Sequence, residues 1–167
     1  MKILIAIVVF MFFECAWTWS KGTKRFDGQP CIEMKPNHGN KAPQITDSPF
    51  SVKVSKLSVR QGENVNVVIE DESGNLKFQG FAIEAQTSAP SSIVIGTFLP
   101  TDTAKIIECD GNASAATQNG AKRKDKIELI WKAPSDYLGD FRFNATVVKS
   151  FSYYWLNVIT EWIEVTV

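Results

Sequence analysis

The absences in this sequence narrow it first. No stretch of the 167 residues keeps apolar side chains at a 3.6-residue period, which excludes amphipathic helices as the organising elements. Net charge is absent too. Eighteen Lys and Arg balance eighteen Asp and Glu, whereas a nucleic-acid binder normally shows a strong basic excess. GxSxG, HExxH and a phosphate-cradling glycine loop are all missing, so acyl transfer, zinc proteolysis and nucleotide chemistry have no motif to rest on. The single histidine, His38, lies between Asn37 and Gly39. A lone loop histidine is more often exposed or hydrogen-bonded than catalytic. Asp71, Glu72 and Asp110 lack the oxygen-ligand spacing of a calcium loop and read as polar turns. The expectation is a protein that is not an enzyme and holds no metal or cofactor.

The long apolar run is at the start. Met1-Lys2 is a short basic opening, Ile3 to Phe13 is unbroken apolar sequence, and Glu14-Cys15-Ala16-Trp17-Thr18-Trp19-Ser20 follows. These are the parts of a secretory signal peptide, with cleavage expected after Ser20 or, alternatively, Thr18. An uncleaved anchor is the other reading. It is disfavoured because crossing a bilayer needs about 20 apolar residues, so no membrane insertion is expected. Residues 1–20 are thus read as the signal and 21–167 as a single domain, one core's worth of chain.

Secretion changes the meaning of the few cysteines. Cys15 leaves with the signal, and Cys31 and Cys109 remain. An even count in an oxidising compartment points to one disulfide. It would close a loop of roughly 80 residues and stabilise by about 4 kcal/mol in the chain-entropy model. Two free redox thiols are the alternative, which no CxxC spacing supports.

What is present is alternation of period two. The stretch Lys126–Val148 carries it most clearly. Ile127, Leu129 and Trp131 share one face, and Phe141, Phe143, Ala145 and Val147 share another, with Ala133-Pro134-Ser135-Asp136 breaking the run between them. This reads as two strands joined by a short turn. Phe50, Val52 and Val54 form an earlier strand, and Val65, Val67 and Ile69 the next. Turns are expected at Arg60–Glu63 and Asp71–Asn75. Leu76–Gln86 is a strand with a phase slip at Gly80, where a bend or bulge is expected. Ile93–Leu99, Lys105–Cys109 and Tyr153–Val167 complete the set. Lys21–Ser48 reads as an ordered loop pinned by Cys31, and Asp110–Lys126 as a long polar loop. About eight short strands with turns between them indicate an all-β, immunoglobulin-like antiparallel sandwich.

The segments PCIEMKPNHG, SPFSV, QGENVNVVI, FQGFAIEA, GTFL, IIECDG, IELIWKAP, GDFRFNATVV and YYWLNV, in this order and spacing, resemble the reelin-type (reeler) domain. They resemble more closely the small secreted insect defense proteins of the noduler-like family. The likeness runs from about Gly22 to Val158. It implies an immunoglobulin-like sandwich and a disulfide between the positions of Cys31 and Cys109. It also implies an innate-immune, antimicrobial role in haemolymph, with binding to microbial surface components such as lipopolysaccharide or β-glucan and to haemocytes during nodule formation. Many relatives carry a histidine in the loop before the WxAP strand. Here Ala116-Thr117-Gln118-Asn119 has none, so a site built on it is absent. An extracellular adhesion or matrix module is the alternative function.

Two features could carry such binding. Lys122, Arg123, Lys124 and Lys126 place four cations within five positions, suited to phosphates or acidic glycans by charge-assisted hydrogen bonds. The competing reading is a solvated loop beside a hydrophobic strand. Tyr153 and Trp155 point one way on a strand and Tyr154 the other, so one set is core and the other could be a surface platform. Two sequons, Asn112-Ala113-Ser114 and Asn144-Ala145-Thr146, are N-glycan candidates. Asn112 sits in the long loop. Asn144 is mid-strand, on the face opposite Phe143, where it is expected to be exposed.

Overall fold

A computed structural model describes residues 34–88, 92–109 and 111–167. Eleven strands follow one another among the described residues: β1 (Phe50–Val54), β2 (Ser58–Arg60), β3 (Asn64–Asp71), β4 (Gly80–Thr87), β5 (Thr97–Leu99), β6 (Ala104–Cys109), β7 (Ala113–Gln118), β8 (Lys126–Lys132), β9 (Gly139–Ser150), β10 (Tyr153–Ile159) and β11 (Ile163–Thr166). No helix occurs among the described residues.

They form two facing sheets. The smaller runs β1-β3-β8-β5, and the larger β2-β11-β9-β4-β7-β6, with β10 also paired to β9. Every pairing is antiparallel except that of β11 with β2. The period-two pattern explains the packing between the sheets. Val65, Val67 and Ile69 of β3, with Ile127, Leu129 and Trp131 of β8, turn inward from the smaller sheet. Phe81, Ile83 and Ala85 of β4, with Phe141, Phe143, Ala145 and Val147 of β9, meet them from the larger. Burying each large apolar side chain fully contributes about 1.5–3 kcal/mol, so this layer dominates the driving force.

Several expectations are refined. β8 and β9 are not a hairpin, although only six residues separate them. β8 belongs to the smaller sheet and β9 to the larger, so the Ala133–Leu138 link crosses between sheets. Pro134 cannot extend β8, and Ala133 is instead tied to the turn before β3 by its N–H to the Glu63 carbonyl at 2.9 Å. The phase slip in Leu76–Gln86 is real. β4 starts at Gly80, and Phe78 forms a separate bridge to Lys124 ahead of a bend at Gln79. Phe78 therefore joins the core from the even phase, 5.4 Å from Phe50, while Phe81 and Ile83 join it from the odd one.

The expected long polar loop contains β7. Its alanines are small enough to lie between β4 and β6, and Ala115 and Ala116 are fully buried. The final expected strand is two. Thr160 exchanges backbone and side-chain hydrogen bonds with Phe143, both at 3.0 Å, and β11 then resumes against Phe141. With β2, these account for eleven strands rather than eight.

Residues 34–46 have no regular structure and lie against the outer face of the larger sheet. The Met34 carbonyl accepts from the Thr146 hydroxyl at 3.0 Å, and the Lys41 carbonyl accepts from the Tyr154 hydroxyl at 2.8 Å. Cys31, the expected anchor of this arm, lies outside the described residues, as do the expected signal peptide and Asp110.

Candidate functional site

Three turns meet at one end of the sandwich. The β3–β4 segment is joined to the β7–β8 loop by the paired backbone hydrogen bonds of Phe78 and Lys124, at 2.8 and 2.9 Å. Gly80 is registered with Val148, which brings the β9–β10 turn alongside. The four cations singled out above arrive here, but they do not act as a set.

Lys122 and Arg123 are exposed and make no ion pair among the described residues. Lys124 folds back. Its Nζ donates to the Gln79 carbonyl at 3.0 Å and lies 5.5 Å from the centre of the Phe78 ring. Burial holds its ammonium below the ordinary lysine value. Lys126 is paired with Glu128 at 2.7 Å, and that hydrogen bond and the charge raise its pKa. Lys126 is exposed but paired, so only Lys122 and Arg123 are both exposed and without an ion pair among the described residues. The same end adds exposed Lys77 and partly exposed Lys149, neither of which stands out in a linear reading. Exposed Glu72 and Asp125 interrupt the positive field.

The aromatic run divides three ways. Tyr153 opens β10 and is 55% exposed, close to Phe151 of the β9–β10 turn at 57%. Trp155 is a core residue, not a surface platform. It faces Val147 across the strand pair, packs edge-on to Phe50 at 5.7 Å, and is 8% exposed. Tyr154 points to the outer face, yet it is fully buried because the 34–46 arm covers it. The outward aromatics are thus Phe151 and Tyr153, at the same end of the sandwich as Lys122 and Arg123. That juxtaposition of ring faces and cations can meet a ligand with both an apolar and an anionic part.

The sequons separate as well. Asn112 is exposed at the turn before β7. Asn144 is only 5% exposed, which corrects its expected exposure. Its Nδ2 donates to Gln86 Oε1 at 3.3 Å and to Asn157 Oδ1 at 3.4 Å, while Gln86 Nε2 donates to Glu84 Oε1 at 2.6 Å. This polar band on the outer face escaped the sequence reading. Its signal is the carboxylate of Glu84 set inside the apolar run Phe81–Ala85. Near it, the Arg142 guanidinium lies 4.7 Å over the Trp162 ring, a cation–π pair also missed.

Cys109 is buried at the end of β6. Asp71 closes its turn. Its Oδ2 accepts from the Ser73 hydroxyl at 2.7 Å and from the Leu76 and Asn75 N–H groups at 2.7 and 2.8 Å. These bonds hold its carboxyl below the usual range. No group of three or more His, Cys, Asp or Glu among the described residues is arranged to hold a metal. Nor is any helix there long and apolar enough to cross a membrane.

The Reeler domain family matches residues 29–167. A Drosophila melanogaster protein bearing a ferric-chelate reductase name is 33% identical over 140 residues, covering 81% of this chain but 22% of that protein. The chain thus spans about a fifth of the length of the curated relatives of that name. A defense protein of the same fly is 29% identical over 147 residues, covering 83% of this chain and 87% of that one. Among solved structures, the human F-spondin reeler domain superposes with a TM-score of 0.62 at 17% identity, over 77% of this chain and 96% of that one.

Proposed function

This chain belongs to the Reeler domain family, and from that premise we propose that it is a secreted, non-enzymatic protein of antimicrobial defence. In this reading it binds microbial surface glycolipids or glycans, lipopolysaccharide or β-glucan among them, and promotes haemocyte aggregation and nodulation in haemolymph. One observation carries the reading. The likeness to the fly defense protein extends over most of both chains, whereas the ferric-chelate reductase relatives share only a small part of their length. A Cys31–Cys109 disulfide belongs to the same reading, and the burial of Cys109 at the end of β6 supports it.

The contact surface is the sandwich end formed by Lys122 and Arg123 with Phe151 and Tyr153. Exposed cations contribute little one by one, and their field fades over about 8–10 Å at physiological salt. Binding is therefore multivalent and salt-sensitive. Lys124 and Lys126 already have intramolecular partners and contribute to the surface only indirectly.

The test is binding of immobilised lipopolysaccharide and β-glucan between low and high salt, for wild type and Lys122→Ser/Arg123→Ser. The double variant should bind more weakly at low salt with an unchanged unfolding midpoint. Equal, salt-independent binding by both would remove the cations from the site. Haemocyte adhesion without microbial binding would favour the adhesion-module function instead.

A further inference from the structure

His38 is the chain's single histidine, and the fold places it where the covering arm meets the outer face of the larger sheet. Its ring stands 4.8 Å from the Phe151 ring, tilted by 31°, and 5.3 Å from Tyr154, edge-on at 85°. Nδ1 is buried and makes no hydrogen bond. Around it the arm is held by three polar contacts. Tyr154 donates its hydroxyl to the Lys41 carbonyl, the Gln44 N–H donates to the Tyr154 carbonyl at 2.8 Å, and the Trp155 Nε1 donates to the Thr46 hydroxyl at 3.5 Å. We propose that His38 is an acid-operated latch, whose protonation releases residues 38–46 from β10 and uncovers Tyr154.

The chemistry of the surroundings argues for this. A neutral imidazole lies tilted on Phe151 and edge-on to Tyr154 with Nδ1 as a bare acceptor lone pair, which is tolerated there without a charge to desolvate. An imidazolium adds an N–H on Nδ1, a buried atom with no partner, gains only the Phe151 backbone as an acceptor, and has its charge partly removed from water. Neither the described arm 34–46 nor the facing 147–156 segment carries a carboxylate. The titratable groups carried by the arm and by the facing 147–156 segment are Lys35, Lys41, Lys149, Tyr153 and Tyr154. The ammonium groups oppose a further cation, and the Tyr154 hydroxyl is engaged by Lys41. On the same outer face Glu84 is registered with Asn144, four residues before the Val148 that pairs with Tyr154, and Asp140 and Glu164 lie further along. Glu84 is thus about 13 Å away along the strands.

Burial lowers the proton affinity of His38, and a hydrogen bond to the Phe151 backbone opposes this only partly. The sign follows. With the docked-state pKa below the ordinary 6.5, docking is fully favourable above that value and weakens as pH falls through it. The arm has no sheet partner, so its docking rests on the few contacts just named. The inference holds whatever the ligand is. Its consequence is that an acidic surface or compartment adds Tyr154 to the aromatic surface already formed by Phe151 and Tyr153.

The test is amide hydrogen exchange, expressed as protection factors, at pH 7.5 and pH 5.0 on the mature protein. Only His38 and the chain's α-amino group titrate there without a perturbed environment. Protection of the Gln44 amide should fall about tenfold for each pH unit by which burial lowers the His38 pKa. The Val67 amide, deep in β3, should not change. His38→Phe keeps the ring contacts, so its Gln44 protection should be equal at both pH values. In wild type the loss of Gln44 protection should begin near the ordinary histidine value and level off at the midpoint of the His38 ring signal in NMR, which keeps the test decisive even if the variant folds poorly. Equal wild-type protection at both pH values overturns the latch. So do a parallel fall at Val67, an equal fall in His38→Phe, or a ring midpoint that does not track Gln44.

Discussion

The Trp131 indole stacks on the Phe141 ring with centroids 4.7 Å apart and planes inclined by 27°, although the two residues lie in opposite sheets. Phe143 closes the group edge-on to both rings, 5.3 Å from Trp131 and 5.5 Å from Phe141. The crossing link Ala133–Leu138 thus folds the richest stretch of the sequence onto itself across the core. The Trp131 Nε1 donates to the Ile95 carbonyl at 3.3 Å, so its polar atom is satisfied as well.

Trp131→Ala should destabilise the fold by about 3–5 kcal/mol, because it removes a fully buried indole and leaves a cavity between two sheets that cannot collapse freely. Denaturant unfolding of the purified variant gives the figure. A loss under about 1 kcal/mol would mean that this face is not the core.

Gly96 is where the indole needs room. Its φ is +67°, and a Cβ there would overlap the Trp131 ring and stand 2.7 Å from the Lys132 carbonyl. Both the backbone conformation and the packing therefore require glycine. Gly96→Ala should cost about 2 kcal/mol or more, combining left-handed strain with a clash. The indicator is a lower midpoint accompanied by a shifted tryptophan emission. An unchanged midpoint would contradict the close approach.

Acid stability should depend on Asp71. Its folded-state pKa is depressed below the ordinary 3.8, chiefly by the Ser73 hydroxyl and the Leu76 N–H. The contribution is therefore complete above 3.8 and is lost as pH falls through the lower folded value. Asp71→Asn should lower stability at neutral pH and make the midpoint less sensitive to pH below 4. Thermal unfolding from pH 2 to 6 compares the two proteins, and identical slopes would show that the turn does not use the carboxylate.

Glycan occupancy should differ between the two sequons. Asn112 is open to solvent, whereas a glycan on Asn144 would have to displace the amides of Gln86 and Asn157 that hold it. In protein expressed through a secretory pathway, Asn112→Gln should remove one enzymatically cleavable glycan. Asn144→Gln should remove none, and a mass change on that variant would refute the assignment.

The residue pattern alone determined the strands with clear alternation. The inward faces of β1, β3, β8 and β9 are those their odd or even apolar positions dictate, and the turns at Gly62 and Gly74 adopt the positive φ that glycine permits. Alternation records that one face of a strand is buried. It does not record which strand lies beside it, so the placement of β8 and β9 in different sheets was not legible. β7 was illegible for another reason: alanine carries little apolar signal, and only the neighbours β4 and β6 bury it.

The candidate site was half legible. A run of cations is visible in a line of letters, but the return of Lys124 to Gln79 and the pairing of Lys126 with Glu128 depend on the fold. Tyr154 and Asn144 lie on an outer face, where sequence logic expects solvent. They are buried because a distant segment, 34–46, lies over Tyr154, and because Gln86 and Asn157 enclose the Asn144 amide. Local sequence determines the direction of a side chain. Whether that direction ends in water is decided by whichever remote part of the chain arrives there, and that is a property of the tertiary structure.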